Sequence, residues 1–378
     1  MNNFPVQFYD RVVYVVAVVF LLSLAYSEAL KSISLVLMLA LLSYAVATNI
    51  VTISKDKVNS IIGLHVLFVV MGIWLGVNSE ESLKQFSDVL KIILVFLFFR
   101  EMNLYYFKRS YLYAFILIGF SLAVFPEFLS YNEVTHDYIK LRSVGSVNRS
   151  ATYAVYIFVL SLYFFKYSEK TFFKFIGGFL IFLSLIAIIL GGSRMAMFSL
   201  PMITFAYFSL QRGVKIKDML LWVILFSFLW LTMYLVFPEA RSFSRFDQGF
   251  EDMGRIQIWI SSINIWIQNN ILFGIGIGNS VLFSTVDFFG NNAVESKIDN
   301  AHNLYLDILL ERGILGLITF LMFIKHLFFK TELEDIILIR VLIFSLLLMG
   351  LANITFRYEF ALLFMSIAGI SMNKFLKY

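Results

Sequence analysis

The sequence predicts an all-α polytopic membrane protein of about 12 transmembrane helices with one long, partly helical external loop. Two observations carry that prediction. The 378 residues are 60% hydrophobic and only 15% charged, whereas water-soluble domains run to about a quarter charged and need that polar area to cover their surface. Charge-poor apolar runs close to the roughly 20 residues that cross a hydrocarbon core also recur along the whole chain. Thirty Lys+Arg against 25 Asp+Glu gives a net charge of +5. In a soluble chain that surplus would suggest nucleic acid; in a membrane chain it raises the question of sidedness, and no nucleic-acid partner is expected. The absence of Cys excludes disulfides, thiolate metal sites and a cysteine nucleophile. Chemistry is left to His, Arg and carboxylates.

In chain order, spans are expected at 10–27, 32–52, 58–77, 86–100, 110–128, 149–166, 173–191, 195–211, 218–237, 313–330, 336–353 and 357–374. The first has no basic leader and no small-residue cleavage site, so it reads as a retained span. Pro126 and Pro238 fall where the fifth and ninth spans should end, because proline cannot continue a helix. No internal repeat or low-complexity linker divides the chain, which predicts a single domain over 1–378.

An even number of spans puts both termini on one side. The connections on that side collect Arg11, Lys55, Lys57, Arg100, Lys108 and Arg109 among other bases, while the opposite set is acidic. By the positive-inside rule the termini are cytoplasmic, and the long connection 238–312 is external. A connection of that length is functional or disordered, and its pattern favours order. Over 255–272 the polar residues Gln257, Ser261, Asn264 and Gln268 recur at helical steps, with Ile256, Trp259, Ile260, Ile263, Trp266 and Ile267 opposite. The pattern predicts an amphipathic helix lying in the membrane interface, anchored by its two Trp. A second short helix is expected at 303–312, with Asn303, Asp307 and Glu311 on one side. A cap that only packs over the bundle would show the same two patterns.

Three residues in this external set have chemical potential. Arg194, after Gly191-Gly192-Ser193, reads either as a span-end anchor or as a phosphate-binding guanidinium; the anchoring role belongs on the cytoplasmic side. Arg255 follows Glu251-Asp252-Met253-Gly254, with Asp252 as a candidate N-cap. It reads equally as a surface Arg paired with those carboxylates or as part of an anion site at the helix start. His302, in Asp299-Asn300-Ala301-His302-Asn303, reads as a helix cap or as a general base with an ordinary imidazole pKa. His65 lies within a span and reads as a packing residue. Gly274-Ile275-Gly276-Ile277-Gly278 lacks the third glycine of a dinucleotide loop, since position 279 is Asn, and reads as a turn. The external carboxylates have no metal-ligand spacing, which disfavours a metal-dependent transferase.

Taken together, these segments resemble a known family. His302-Asn303, nine residues and Gly313-Ile314-Leu315-Gly316 resemble the His-Asn-x9-Gly-x-x-Gly signature of the bacterial O-antigen ligase and polymerase superfamily. Gly192-Ser193-Arg194 is similar to its Ser/Thr-Arg element. Gly254-Arg255-Ile256-Gln257-Ile258-Trp259 with Leu272-Phe273-Gly274-Ile275-Gly276 is similar to its Arg-x-x-x-Trp and Gly-x-Gly stretch. The segment 142–153, from Arg142 through Asn148 to Tyr153, is similar to what precedes the sixth span in ligase-like members. The likeness covers roughly 140–320.

The resemblance implies a glycosyltransferase-C-like fold and an O-antigen ligase of the inner membrane. Such an enzyme moves a polysaccharide from an undecaprenyl diphosphate donor to a lipid A-core sugar hydroxyl at the periplasmic face, in lipopolysaccharide biosynthesis. Carried over residue by residue, Arg194 and Arg255 would bind the donor diphosphate, His302 would activate the acceptor hydroxyl, and Arg142 and Asn148 are candidate substrate contacts. The reaction would be inverting and metal-independent, with no cofactor. The alternatives are an O-antigen polymerase using the same donor and, ranked lower, a lipid-linked glycan transporter or flippase. Transport is disfavoured because the candidate residues crowd one face and no paired repeat is present.

Overall fold

The computed structural model describes residues 4–105, 108–131, 139–168, 171–211, 253–285, 297–330 and 335–376, with scattered residues between 217 and 236. The described residues form helices α1 (Phe4–Tyr26), α2 (Glu28–Ala47), α3 (Lys57–Leu75), α4 (Ser79–Glu101), α5 (Arg109–Leu129), α6 (Val147–Tyr167), α7 (Thr171–Leu190), α8 (Arg194–Leu210), α9 (Met253–Gln268), α10 (Leu304–Phe329), α11 (Ile336–Met349) and α12 (Tyr358–Met372). A 3-10 turn covers Asn279–Leu282, and an isolated antiparallel bridge pairs Ser284 with Lys297. The expected span 218–237 falls mostly outside the described residues, and Pro238 and Asp252 fall wholly outside them.

Among the described residues, four helical stretches are long and apolar enough to cross a membrane: Phe8–Tyr26, Glu28–Ala47, Lys57–Leu75 and Arg109–Leu129. Lys174–Leu190, Ile336–Met349 and Tyr358–Met372 are apolar but shorter. Helix starts are set locally by polar caps. Ser27 accepts from Leu30 N, Asp56 from Asn59 N, and Asn78 from the amides of Glu80 and Glu81, each satisfying donors that a helix start leaves without a partner. Helix α2 buries Lys31, Ser34, Leu35, Met38, Leu42 and Ala45, one stripe at helical spacing, and leaves its other face exposed.

Helices α6 and α12 form the centre of the bundle. Every residue from Ala151 to Leu160 and from Phe360 to Met372 is buried. In lipid the apolar effect does not drive helix against helix, so close backbone approach carries the packing. Glycines provide it at three helix pairs. A Cβ on Gly119 of α5 would stand 2.3 Å from Leu22 O of α1, one on Gly177 of α7 2.9 Å from the Phe165 backbone of α6, and one on Gly369 of α12 2.8 Å from Phe96 O of α4.

Two sequence expectations are corrected. Pro126 does not end its helix. Helix α5 runs on to Leu129 because a proline in the last turn forfeits one hydrogen bond, and Ser130 N closes the end onto Pro126 O at 3.1 Å. The amphipathic helix expected over 255–272 stops at Gln268, where Asn269 and Asn270 divert the chain and Trp266 Nε1 donates to Ile271 O at 3.0 Å. The short helix expected at 303–312 and the helix expected from 313 are both present, as the two arms of α10 that meet at Gly313, whose φ 64 and ψ −171 are not helical.

Candidate functional site

The break at Gly313 organises the site. A helix interrupted there leaves carbonyls and amides without intrahelical partners, and these must be satisfied elsewhere. The glycine turn supplies them. Ile275 N donates to Leu310 O (2.9 Å) and Gly276 N to Glu311 O (3.1 Å), while Ile314 N and Leu315 N donate to Ile271 O and Leu272 O (3.0 and 3.2 Å). A Cβ on Gly313 would lie 2.2 Å from Leu272 O, and one on Gly274 would lie 2.5 Å from Leu310 O, so both positions require glycine for this approach. The turn is also tied to the start of α4, through Val77 N to Ile275 O (2.9 Å) and Asn279 Nδ2 to Asn78 O (3.2 Å).

The nine residues between Asn303 and Gly313 are thus a short helical segment whose two carboxylates point inward. Glu311 is 1% exposed; its Oε1 accepts from Gly278 N at 3.0 Å and lies 3.6 Å from Arg357 Nη1. Asp307 is also buried, with Oδ2 3.7 Å from the same guanidinium and Oδ1 accepting from Ala301 N at 3.4 Å. Burial first, and then the charge of Glu311, push the Asp307 carboxyl up to about 6 against the opposing pull of Arg357 and Arg312.

His302 is pinned along its backbone between these groups. Ala301 is held by Asp307, His302 N donates to Asn300 Oδ1 at 3.1 Å, and Asn303 Oδ1 caps α10 by accepting from Tyr305 N and Leu306 N (3.0 and 3.1 Å). The capping role therefore falls to Asn303 and not to the imidazole. His302 takes φ 48, a left-handed conformation uncommon outside glycine and concentrated at functional positions.

The connection between α11 and α12, residues 350–357, gathers the other candidates. Leu304 N donates to Gly350 O at 2.8 Å, Asn303 Nδ2 to Leu351 O at 2.9 Å, and Arg255 Nη1 to Ala352 O at 3.3 Å. At the far end of the same connection Tyr358 has φ 59, and two guanidinium groups approach its ring, Arg149 at 3.6 Å and Arg357 at 5.5 Å from the ring centroid. Two buried donors nearby in the chain, Trp259 Nε1 one turn along α9 from Arg255 and Asn353 Nδ2 beside Ala352, meet no acceptor. Lys31 closes the layer, with Nζ 2.6 Å from Glu28, 2.7 Å from Glu359 and 3.1 Å from Ser143 Oγ.

The structure brings Arg255 and Asn303, the neighbour of His302, to one connection. Arg194 begins α8 at a turn shaped by Gly192 (φ 65). That turn packs beside the start of α6, with a Cβ on Gly191 3.4 Å from Ala151 Cβ. Arg142 is 84% exposed and pairs with Glu127 at 3.0 Å; Asn148 lies in the first turn of α6, its carbonyl accepting from Thr152. Of the 142–153 segment it is Arg149, not singled out from the sequence, that reaches the connection. Its signal was position, since Arg149 immediately precedes the long buried run of α6. Asp307, Glu311 and Arg357 were legible as i,i+4 carboxylates beside an apolar run and as a lone cation at the start of another.

These contacts define a helical membrane protein with a cation- and histidine-bearing site at one end of its bundle. Residues 179–321 match the family model described as O-antigen ligase, which supports membership of the O-antigen ligase superfamily. The family covers O-antigen ligases and related polymerases. The matched stretch contains Arg194, Arg255, His302 and the Gly313 break; Arg149 and the 350–358 connection lie outside it. No curated protein matches the chain.

Proposed function

We propose that the chain is an O-antigen ligase of the bacterial inner membrane that transfers a polysaccharide from undecaprenyl diphosphate to a hydroxyl of lipid A-core. In this reading residues 1–378 form one domain with about 12 crossings and both termini cytoplasmic, and 238–312 is its periplasmic catalytic loop. The observation that carries the reading is the convergence of Arg255, the His302-Asn303 pair and the Arg149–Tyr358 stack on residues 350–358, next to orphan donors at Trp259 and Asn353. Guanidinium groups and N–H donors around one connection suit a ligand rich in acceptor oxygens, and a diphosphate is that ligand.

The division of labour follows from the chemistry. The acceptor oxygen forms a bond to the anomeric carbon while the bond from that carbon to the diphosphate oxygen breaks. The hydroxyl proton passes to the His302 imidazole, and the bonding electrons leave with the lipid diphosphate. Arg194, Arg255 and Arg149 stabilise the charge that grows on that leaving group, an interaction stronger in the transition state than in the ground state. Attack opposite the diphosphate inverts the anomeric centre.

A deletion strain analysed by lipopolysaccharide gel separates the alternatives. Loss of a ligase leaves bare core with long chains stranded on the lipid carrier, whereas a core-plus-one-repeat band would assign the chain as a polymerase. Single repeats stranded on the cytoplasmic leaflet would assign it as a flippase. In a purified transfer assay, His302→Ala with full activity would remove the general-base assignment.

A further inference from the structure

A second site lies between α3 and α10, toward the end of α10 away from the His302 site. The two helices diverge there around a groove of about 640 Å³. Its walls are apolar, with Ile61 and Leu64 on α3 facing Met322 and Phe329 on α10. Its mouth is cationic, because Lys57 opens α3 while Lys325, His326 and Lys330 lie at the C-terminal end of α10. Lys325 precedes the last residue of α10, Phe329, by more than one turn, so its ammonium group starts beside the apolar wall and not beyond it.

The nearest carboxylate on α3, Asp56, is engaged by Arg100 and caps Asn59 N. Lys330 acts on it as well, so the charge offered to a ligand is carried chiefly by Lys57 and Lys325. We propose that this groove binds one anionic phospholipid, with the phosphate among Lys57, Lys325 and Lys330 and an acyl chain along Ile61, Leu64 and Phe329. Charge complementarity selects the headgroup, and the apolar walls select a lipid over a free anion. Phe329 is 65% exposed and Leu64 37% exposed, so both offer unpaired apolar surface to a chain lying in the groove. The site does not depend on the proposed transferase activity.

The test uses the full chain purified in detergent and native mass spectrometry with added phosphatidylglycerol or with phosphatidylcholine of the same acyl chains. Retention of one phosphatidylglycerol in preference to phosphatidylcholine is expected. Each lysine near an anionic headgroup is worth roughly fivefold in affinity. The triple variant Lys57→Gln/Lys325→Gln/Lys330→Gln should therefore abolish the preference, while Lys84→Gln/Lys91→Gln, at exposed pairs on α4, should keep it. Leu64→Trp leaves every charge in place and fills the groove, and it should lower retention even if the triple variant fails to fold. Equal retention of the two lipids, unchanged phosphatidylglycerol retention in Leu64→Trp, or displacement of phosphatidylglycerol by millimolar inorganic phosphate would each overturn the proposal.

Discussion

The two ends of the bundle both bury charge, and they use it differently. At the end formed by the starts of α3, α5 and α11 and the finishes of α4 and α12, arginines face carboxylates. Arg100 pairs with Asp56 and lies 3.4 Å from Glu101, and Arg109 faces Asp335, which also accepts from Tyr113, Tyr163 and Ser371. At the other end Lys31 and Arg357 are matched to carboxylates in the same way, but Arg149 lies against an aromatic face and Arg255 reaches a carbonyl oxygen. Buried arginine by itself marks nothing, since the first end holds it as structure. What distinguishes the candidate site is one guanidinium held against an aromatic face and another reaching a backbone carbonyl, on a backbone strained at His302 and Tyr358.

The sharpest way to break this contrast is to remove one group from each end. His302→Ala should lower transfer by about 10²- to 10⁴-fold, the usual worth of a general base, with the thermal midpoint in detergent little changed. Arg100→Ala should do the reverse. It strands Glu101, 6% exposed, and Asp56 without their cation, a loss of roughly 3–5 kcal/mol in stability, while transfer per folded molecule holds. Equal activity losses in the two variants would erase the distinction between the ends. Arg149→Gln is the intermediate case. A charge-assisted bond to an anionic ligand is worth roughly 1.5–3 kcal/mol, so transfer should fall about 10- to 100-fold. The lost ring contact should cost stability no more than about 2 kcal/mol. A stability loss with unchanged transfer would make Arg149 a clamp on Tyr358 and nothing more.

Much of the bundle was legible because apolar runs and helical period are local properties of the chain. A helix falls in each expected span outside 218–237, although α2 stops at Ala47 and α11 at Met349, short of the expected 52 and 353, and the cap at Asn303 lies where the expected short helix began. The site was legible in part for the same reason: Arg255 and His302 lie in one loop, so their proximity did not depend on the fold. The 350–358 connection was not legible. It belongs to a different pair of helices, and its role rests on carbonyls of Gly350, Leu351 and Ala352, which carry no side-chain signature. The helix boundary at Gly313 was expected from the sequence, but not the contacts that hold it. The break is satisfied by amides and carbonyls 35 to 43 residues earlier in the chain, which periodicity cannot reveal.

The smallest expected effect is also the most specific to the comparison, because one carboxylate at each end is shifted in the opposite direction. Asp307 sits with its carboxyl raised to about 6 by burial and by Glu311. The folded state therefore keeps a proton between about pH 4 and 6 that the unfolded chain has released. The contribution of this group to stability falls as pH rises through that window and is level above it. Asp56 is the opposite case. Burial pushes it up, but the Arg100 hydrogen bond and the Asn59 amide outweigh that and hold it below the ordinary value. Its stabilisation is full above the unfolded pKa of about 3.9 and is lost only at lower pH. Unfolding midpoints of Asp307→Asn and Asp56→Asn, each measured against the parent from pH 4 to 7, should separate the two. The Asp56→Asn deficit should stay nearly constant, whereas the parent's standing relative to Asp307→Asn should decline toward pH 6 and then flatten. A parent that gains on Asp307→Asn across the same range would mean that Arg357 holds Asp307 ionised. The carboxylate pair beside His302 would then be a closed structural ion pair like those at the opposite end.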